Sequence, residues 1–525
     1  MERTDWSRWR WRGGVMGCLL AAALALALYL HYGAGSAANV GFPLDDSWIH
    51  AQIARHVAAG QGWTYNPGAP TAASTSPLWV IAITPLFWLP GEPTLWIKVL
   101  GSVLYLLTVY LTIGLARAVL HDDRIALLAG WLVAWQPALI YSALSGMETP
   151  LFVVLTLLAL RCAHRGETSA RHAYLATAWL ALAGWARPEL WAALPLLWGY
   201  WRRRDLPATA WPWHLLLAVA SVAGFVLFHL ALWGHPLPST FYAKPAAAYG
   251  ATDFGWVRWL LTLADHFLHN VGEAINTQNP LLLVGLGLLL VRLERRTAAQ
   301  RAFLGLCLAL TVWVCLLTAA ANLGSVGFQT FRRTAYFLPG LTMAVAAGVV
   351  MLWDEITAAA RLPAPRSLQT TVTAAALLGM ALAWQANELR HTGALFANDL
   401  RSINQGDVAA ARWIAAHTPP DALVAANDIG ALAYVSQRRI FDLIGLASPD
   451  VIPILAETGP LAPARSQRLK EAMRAQGVEY VVIFPTWFPS LAQDPDLIPL
   501  QRFVVERPTA LAGSEVVVYR LSHGR

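Results

Sequence analysis

Charged residues in this chain come in clumps, and the intervals between the clumps are long and apolar. The run from Gly13 to Leu44 holds no Asp, Glu, Lys or Arg. A helix needs about 20 predominantly apolar residues to cross the hydrocarbon of a bilayer, so repeated gaps of this kind predict repeated crossings. Composition agrees: 57% of the 525 residues are hydrophobic and 13% charged, against about 25% charged in a soluble domain. The expected fold class is an α-helical polytopic membrane protein with about 11 transmembrane helices.

The side on which each loop lies follows from its basic residues, because cytoplasmic loops retain Lys and Arg. Arg3, Arg8, Arg10 and Arg12 precede the first apolar run, which places the N-terminus in the cytoplasm. That run is too long for the apolar core of a signal peptide and reads as an uncleaved span. Residues 33–95 then form a first outer loop, with amphipathic Ser47–Ala59 and apolar Pro77–Leu89 as helices along the interface. Further spans are expected near 96–120, 125–142, 149–160, 172–185, 190–201, 212–233, before Arg292, and near 302–321, 334–353 and 368–384. A second outer loop is expected over Gly234–Asn279. The net charge of +7 is spread over short loops rather than gathered on one basic face, which argues against nucleic-acid binding. Cys18, Cys162, Cys307 and Cys315 form no CxxC pair, so neither a zinc site, a redox site nor a disulfide is indicated.

From Asp407 onward the texture changes. Val408–Ala416 and Leu469–Gln476 read as helices. Ala422–Ala426, Arg439–Leu443 and Tyr480–Phe484 read as strands, with a late pair at Phe503–Val505 and Val516–Tyr519. Helices alternating with short buried strands predict a small α/β domain. The expected division is 1–387 for the membrane domain and 388–525 for the extracytoplasmic domain. Its glycines form no GxGxxG fingerprint, which disfavours nucleotide binding.

The ionisable groups at the outer ends of spans are the candidates for chemistry. Asp45-Asp46 is a carboxylate pair near an apolar surface, suited to a general base, with helix capping by Asp46 or Ser47 as the plainer role. Glu148 starts a helix, and Arg187-Pro188-Glu189 sits at another helix junction, where a cap and a local ion pair are the plainer roles. Pro236–Lys244 presents hydroxyls, the Tyr242 phenol and the Lys244 ammonium, a point-charge binder of phosphate. Arg332-Arg333-Thr334-Ala335-Tyr336 puts two guanidiniums on the outer side, against the positive-inside tendency, so an anionic partner is expected. A base and phosphate binders on one membrane face suggest group transfer from a lipid phosphate.

The segment Asp45-Asp46-Ser47-Trp48-Ile49-His50-Ala51-Gln52-Ile53-Ala54-Arg55, followed by Gly60–Gly68 and Ser74-Thr75-Ser76-Pro77-Leu78-Trp79, resembles the first outer loop of GT-C glycosyltransferases. The bacterial branch similar to the mycobacterial terminal arabinofuranosyltransferase is nearest in pattern. Gly146–Leu151, Arg187-Pro188-Glu189 and Pro238–Lys244 resemble further signatures of that branch, and Asn427–Tyr434 with Asp442–Leu446 resembles its small outer domain. The resemblance implies an inverting transfer of one sugar from a polyprenyl-phosphate donor to an envelope glycan, lipid or protein at the outer face of the cytoplasmic membrane. It implies Asp45 as general base, supported by Asp46. Lys244, Tyr242 and Arg332 or Arg333 would hold the donor phosphate, with Arg55, Glu148, Arg187, Glu189 and Tyr336 in support. No metal or cofactor is expected. A ligase of lipid-diphosphate glycans and a lipid or sugar transporter are the alternatives.

Overall fold

The structure, a computed structural model, describes residues 2–34, 41–166, 169–202, 211–250, 256–276, 280–321, 335, 338–359, 366–511 and 513–522. A helical bundle runs to Ile403, and an α/β unit follows it. Among the described residues five helices are long and apolar enough to cross a membrane: Trp9–Gly33, Pro93–Leu120, Trp211–Trp233, Ala298–Ala320 and Leu338–Ala358. A sixth candidate is the pair Asp123–Ala134 and Pro137–Leu144, bent by 53°. The bend falls where Pro137 removes an N–H and pushes Gln136 out of the helical region, to φ −80° and ψ 109°. The protein is an integral membrane protein.

The expected eleven spans are not reached on this measure. Thr149–Gly166, Ala170–Ala186, Leu194–Arg202 and Pro280–Val291 are helical where spans were expected, but each is too short or too polar to qualify. The first two pack closely because small residues meet there: a side chain at Gly166 would lie 3.0 Å from the Ala173 backbone. The expected loop over Gly234–Asn279 contains two helices, Thr240–Ala248 and Trp256–Asn276. In the second, His266 and Asn270 face inward one turn apart while Leu261 and Leu268 are exposed. Polar residues on a single face interrupt the apolar run and disguise a helix as a loop.

Charges mark one end of the bundle. Arg117 lies 3.8 Å over the Trp11 ring and pairs with Asp123, Arg124 bridges Asp122 and Asp354, and Arg295 pairs with Glu355. The other end carries the 41–95 segment. There Asp45–Ala58 is a helix, β1 (Thr64–Asn66) and β2 (Ala69–Pro70) form a tight hairpin around Gly68 at φ 78°, and Pro77–Ile83 is a second helix. The first helix turns its apolar residues inward, not to a surface. Trp48, Ile49, Ile53 and Ala54 are buried in one core with Ile429, Leu432 and Val482 of the α/β unit. Nor do Asp46 and Ser47 cap it: the helix starts at Asp45 with Leu44 before it, and the Ser47 hydroxyl donates to the Ser145 carbonyl at 2.7 Å.

The α/β unit is built on β3 (Leu423–Ala426), β4 (Arg439–Asp442), β5 (Tyr480–Ile483), β6 (Leu497–Val504) and β7 (Glu515–Leu521). They form one sheet in the order β4-β3-β5-β7-β6, with β3 parallel to β4 and β5 and the remaining pairs antiparallel. Residue 387 lies within the 38-residue helix Arg366–Ile403, so the chain passes from bundle to sheet without a break there. Asn66 seals the junction by exchanging two hydrogen bonds with the backbone of Ile440, at 2.8 and 2.9 Å.

Candidate active site

Asp46 and His50 stand one turn apart on the Asp45–Ala58 helix, so they share a face. Below them the turn Ser145–Glu148 is set by Gly146 at φ 80°, where an added side chain would come 2.4 Å from the Phe42 ring. Trp79 fixes the same turn by donating from its indole to the Gly146 carbonyl at 2.9 Å. The turn delivers Glu148 to the start of the Thr149–Gly166 helix. Its carbonyl accepts the first amides, from Leu151 and Phe152. Its carboxylate is used elsewhere: Oε1 accepts from Arg187 Nη1 at 3.3 Å, and Oε2 lies 3.6 Å from His50 Nε2.

These contacts form a connected polar chain. His50 Nδ1 lies 3.0 Å from the Ser74 hydroxyl. Arg187 is held in extended backbone before Pro188 and pairs with Glu189 at 2.7 Å as well as with Glu148. Glu148 is fully buried. A buried carboxylate is tolerated only when paired and hydrogen-bonded, and here the Arg187 guanidinium provides that, with the His50 ring beside the other oxygen. The plainer expectations, a cap at Glu148 and a local pair at Arg187, are therefore joined into one network across three elements.

The Thr240–Ala248 helix adds Thr240, Phe241 and Lys244 to the same site. Ser239 anchors its start by donating to the Ala72 carbonyl at 3.0 Å and the Leu446 carbonyl at 2.6 Å. Between these elements is a cleft lined by Asp46, His50, Arg187, Glu189, Lys244 and Leu446 among others. Leu446 belongs to a loop folded around Asp442, which accepts from the amides of Ile444 and Ala447 at 2.8 Å each. Burial pushes the Asp442 carboxyl up to about 6, although those amides oppose it.

Asp45 turns away from the cleft. Its two carboxylate oxygens accept from the amides of Gly430 and Ala431, each at 2.7 Å. A side chain at position 430 would lie 2.1 Å from the Asp45 carbonyl oxygen, so only glycine admits this approach. Burial raises the Asp45 carboxyl to about 6, with the charges of Asp46 and Asp442 adding to it and the two amides offsetting part. Burial, with the Asp45 charge adding to it, holds Asp407 and Asp428 well above the usual carboxylate range.

Asp46, Glu148, Arg187, Glu189 and Lys244 thus meet at one site. Asp45 abuts it but faces the α/β unit. Arg55 also faces that unit, donating to the Tyr434 carbonyl at 2.9 Å and lying 4.7 Å over the Tyr434 ring. Tyr242 sits between Trp233 and His235, with ring centroids at 5.3 and 5.5 Å. Arg332, Arg333 and Tyr336 lie outside the described residues. His50 and Ser74 are site residues that the sequence reading did not single out, although the i, i+4 spacing from Asp46 to His50 was visible. Leu446 had no such signal, since only the tertiary fold brings it there. Among the described residues no three His, Cys, Asp or Glu side chains are grouped to hold a metal. The arrangement can accept a proton at Asp46 and attract an anion at Lys244 within one half-enclosed space.

Residues 398–519 match a family described as a domain of unknown function, DUF8728. No curated protein matches the chain. Among solved structures, it is similar to ArnT from Cupriavidus metallidurans bound to undecaprenyl phosphate, with 16% identity and a TM-score of 0.56 over 96% of this chain and 99% of that one. It is also similar to the oligosaccharyltransferase of Archaeoglobus fulgidus tethered with an acceptor peptide, with 12% identity and a TM-score of 0.58 over 97% of this chain and 74% of that one. A further likeness is to AglB of the same organism in complex with an inhibitory peptide and a dolichol-phosphate, with 12% identity and a TM-score of 0.56 over 96% and 74%. The chain has the GT-C fold.

Proposed function

We propose that the protein is an inverting glycosyltransferase that moves a single sugar from a polyprenyl-phosphate donor to a hydroxyl of an envelope glycan, lipid or protein. The observation that carries this reading is the placing of Asp46 and Lys244 in the lining of one cleft, in the fold of an ArnT whose structure holds undecaprenyl phosphate. Asp46 takes the proton of the acceptor hydroxyl, and the oxygen forms a bond to the anomeric carbon. The bond from that carbon to the phosphate oxygen breaks, and its electron pair leaves on the lipid phosphate. Lys244 offsets the charge that develops there. Asp45 serves as the strut that fixes the Asp46 backbone, a shift of the base by one residue from the expectation. Arg187 lies between two carboxylates, which suits it to orienting sugar hydroxyls more than to neutralising phosphate. Arg332 or Arg333 is proposed to complete the phosphate site. The basic end of the bundle is assigned to the cytoplasm and the cleft to the opposite face, by the positive-inside tendency.

A second reading, transfer of a whole glycan from a lipid diphosphate, is favoured by the likeness to the archaeal oligosaccharyltransferase. The correspondence with ArnT extends over nearly all of both chains, which supports the single-sugar reading. The deciding experiment reconstitutes the full chain in lipid nanodiscs with radiolabelled polyprenyl-phosphate sugars or, separately, lipid-diphosphate glycans. Release of polyprenyl monophosphate that is lost in Asp46→Asn supports the proposal. Turnover of the diphosphate donor alone overturns it.

A further inference from the structure

The helix that carries Lys244 is poorly equipped to stand alone. Thr240–Ala248 has nine residues with Pro245 inside it. A helix this short is marginal in water, and an internal proline removes one of its few hydrogen bonds. Its last carbonyls also need partners from elsewhere. They find one in the α/β unit. Arg465, only 5% exposed, donates from Nη1 to the Ala247 carbonyl at 2.8 Å and from Nη2 to the Ala246 carbonyl at 3.2 Å. The same guanidinium donates to the Leu455 and Thr458 carbonyls at 2.7 and 2.6 Å and to the Thr458 hydroxyl at 3.1 Å. All five of these acceptors are neutral oxygens, and four of them are carbonyls at the ends of two helices, Thr240–Ala248 and Ile452–Glu457. A cation there meets the negative ends of both helix dipoles. The chain beyond is shaped to the same contact. Gly250 stands at φ 51°, and a side chain on it would come 1.9 Å from the Thr458 carbonyl and 2.6 Å from Arg465 Nη2.

We infer that Arg465 is a positioning residue for the donor phosphate: it clamps the C-terminal end of the Lys244 helix, so the α/β unit forms part of the donor site. With Ser239 tied to Leu446 at the other end, the short helix is gripped by the α/β unit at both termini. The inference rests on the reading of Lys244 as a phosphate ligand.

The test measures binding of undecaprenyl phosphate to the full chain in nanodiscs by tryptophan fluorescence, for the wild type, Lys244→Ala, Arg465→Ala, the double variant and Gly250→Ala. Arg465→Ala should weaken binding about tenfold, the scale of one lost charged hydrogen bond. Lys244→Ala should do the same, and the double variant should be no worse than either single one, because both remove the same interaction. Gly250→Ala keeps the Arg465 side chain but crowds its guanidinium and the Thr458 carbonyl at the helix end, and it should reproduce the defect even where Arg465→Ala fails to fold. If Lys244→Ala leaves binding unchanged, the Lys244 reading fails whatever Arg465 does. If Lys244→Ala weakens binding while Gly250→Ala and Arg465→Ala do not, or if the double variant is additive, the clamp alone is overturned.

Discussion

Asp45 and Gly430 are separated by 385 positions in the chain, yet the Gly430 amide donates to the Asp45 carboxylate at 2.7 Å. The Ala431 amide donates to its other oxygen at the same distance. The contact joins the start of the cleft helix to the α/β unit and leaves Asp46, one residue on, as the carboxylate that faces the cleft.

The two aspartates should therefore fail differently. Asp46→Asn should lower transfer by about 100-fold or more, the range for loss of a general base, with an unchanged melting temperature. Asp45→Asn should lower the melting temperature and leave measurable transfer. Steady-state rates and thermal unfolding of both variants check this, and a dead, fully stable Asp45→Asn would return the base to Asp45.

Gly430→Ala should destabilise the protein by about 1–3 kcal/mol, the usual cost of forcing extra atoms into a packed contact. Its new side chain would lie 2.1 Å from the Asp45 carbonyl oxygen, and backbone cannot swing aside as a flexible side chain can. Limited proteolysis should show the α/β unit more readily cleaved than in the wild type. Equal resistance would mean that the contact relaxes without strain.

Glu148→Ala should cost about 1–3 kcal/mol, because it removes one of the two carboxylate partners of Arg187 in a buried site while Glu189 stays. Glu148→Gln keeps the shape and should cost less. A double-mutant cycle with Arg187→Met checks the coupling: the paired change should be milder than the sum of the single ones.

Stability should fall as pH rises from about 4 to 6. The folded protein holds the Asp45 and Asp442 carboxyls at about 6, above their unfolded values, so the folded state binds more protons through this window. Their favourable contribution is complete below the unfolded values and is lost as pH passes the folded ones. Asp45→Asn should flatten part of that slope in melting curves taken across pH.

How far the sequence reveals this molecule depends on the kind of signal each part carries. Long apolar runs such as 93–120 announce themselves, because lipid demands them. The β-strand at 480–483 and the second half of the helix at 463–475, read as 469–476, are legible because a small sheet core forces apolar alternation with helices. The 256–276 helix is not, since His266 and Asn270 are inward polar residues that only a neighbouring helix can satisfy, as Cys315 and Thr318 do for Asn270. At the site, Asp46, Glu148, Arg187, Glu189 and Lys244 could be listed from local chemistry. Which member of the Asp45-Asp46 pair faces the cleft depended on Gly430, far away in the chain, and no local rule contains that information.

The unbroken helix Arg366–Ile403 joins bundle to sheet as a screw joins two plates. Each residue added to it would turn the α/β unit by about 100° and advance it by about 1.5 Å. Such a turn would carry Gly430 away from Asp45 and Arg465 away from the Lys244 helix in one motion. The length of that helix is therefore a phase setting, and a single inserted residue, touching no site residue, should disable the cleft as surely as a substitution within it.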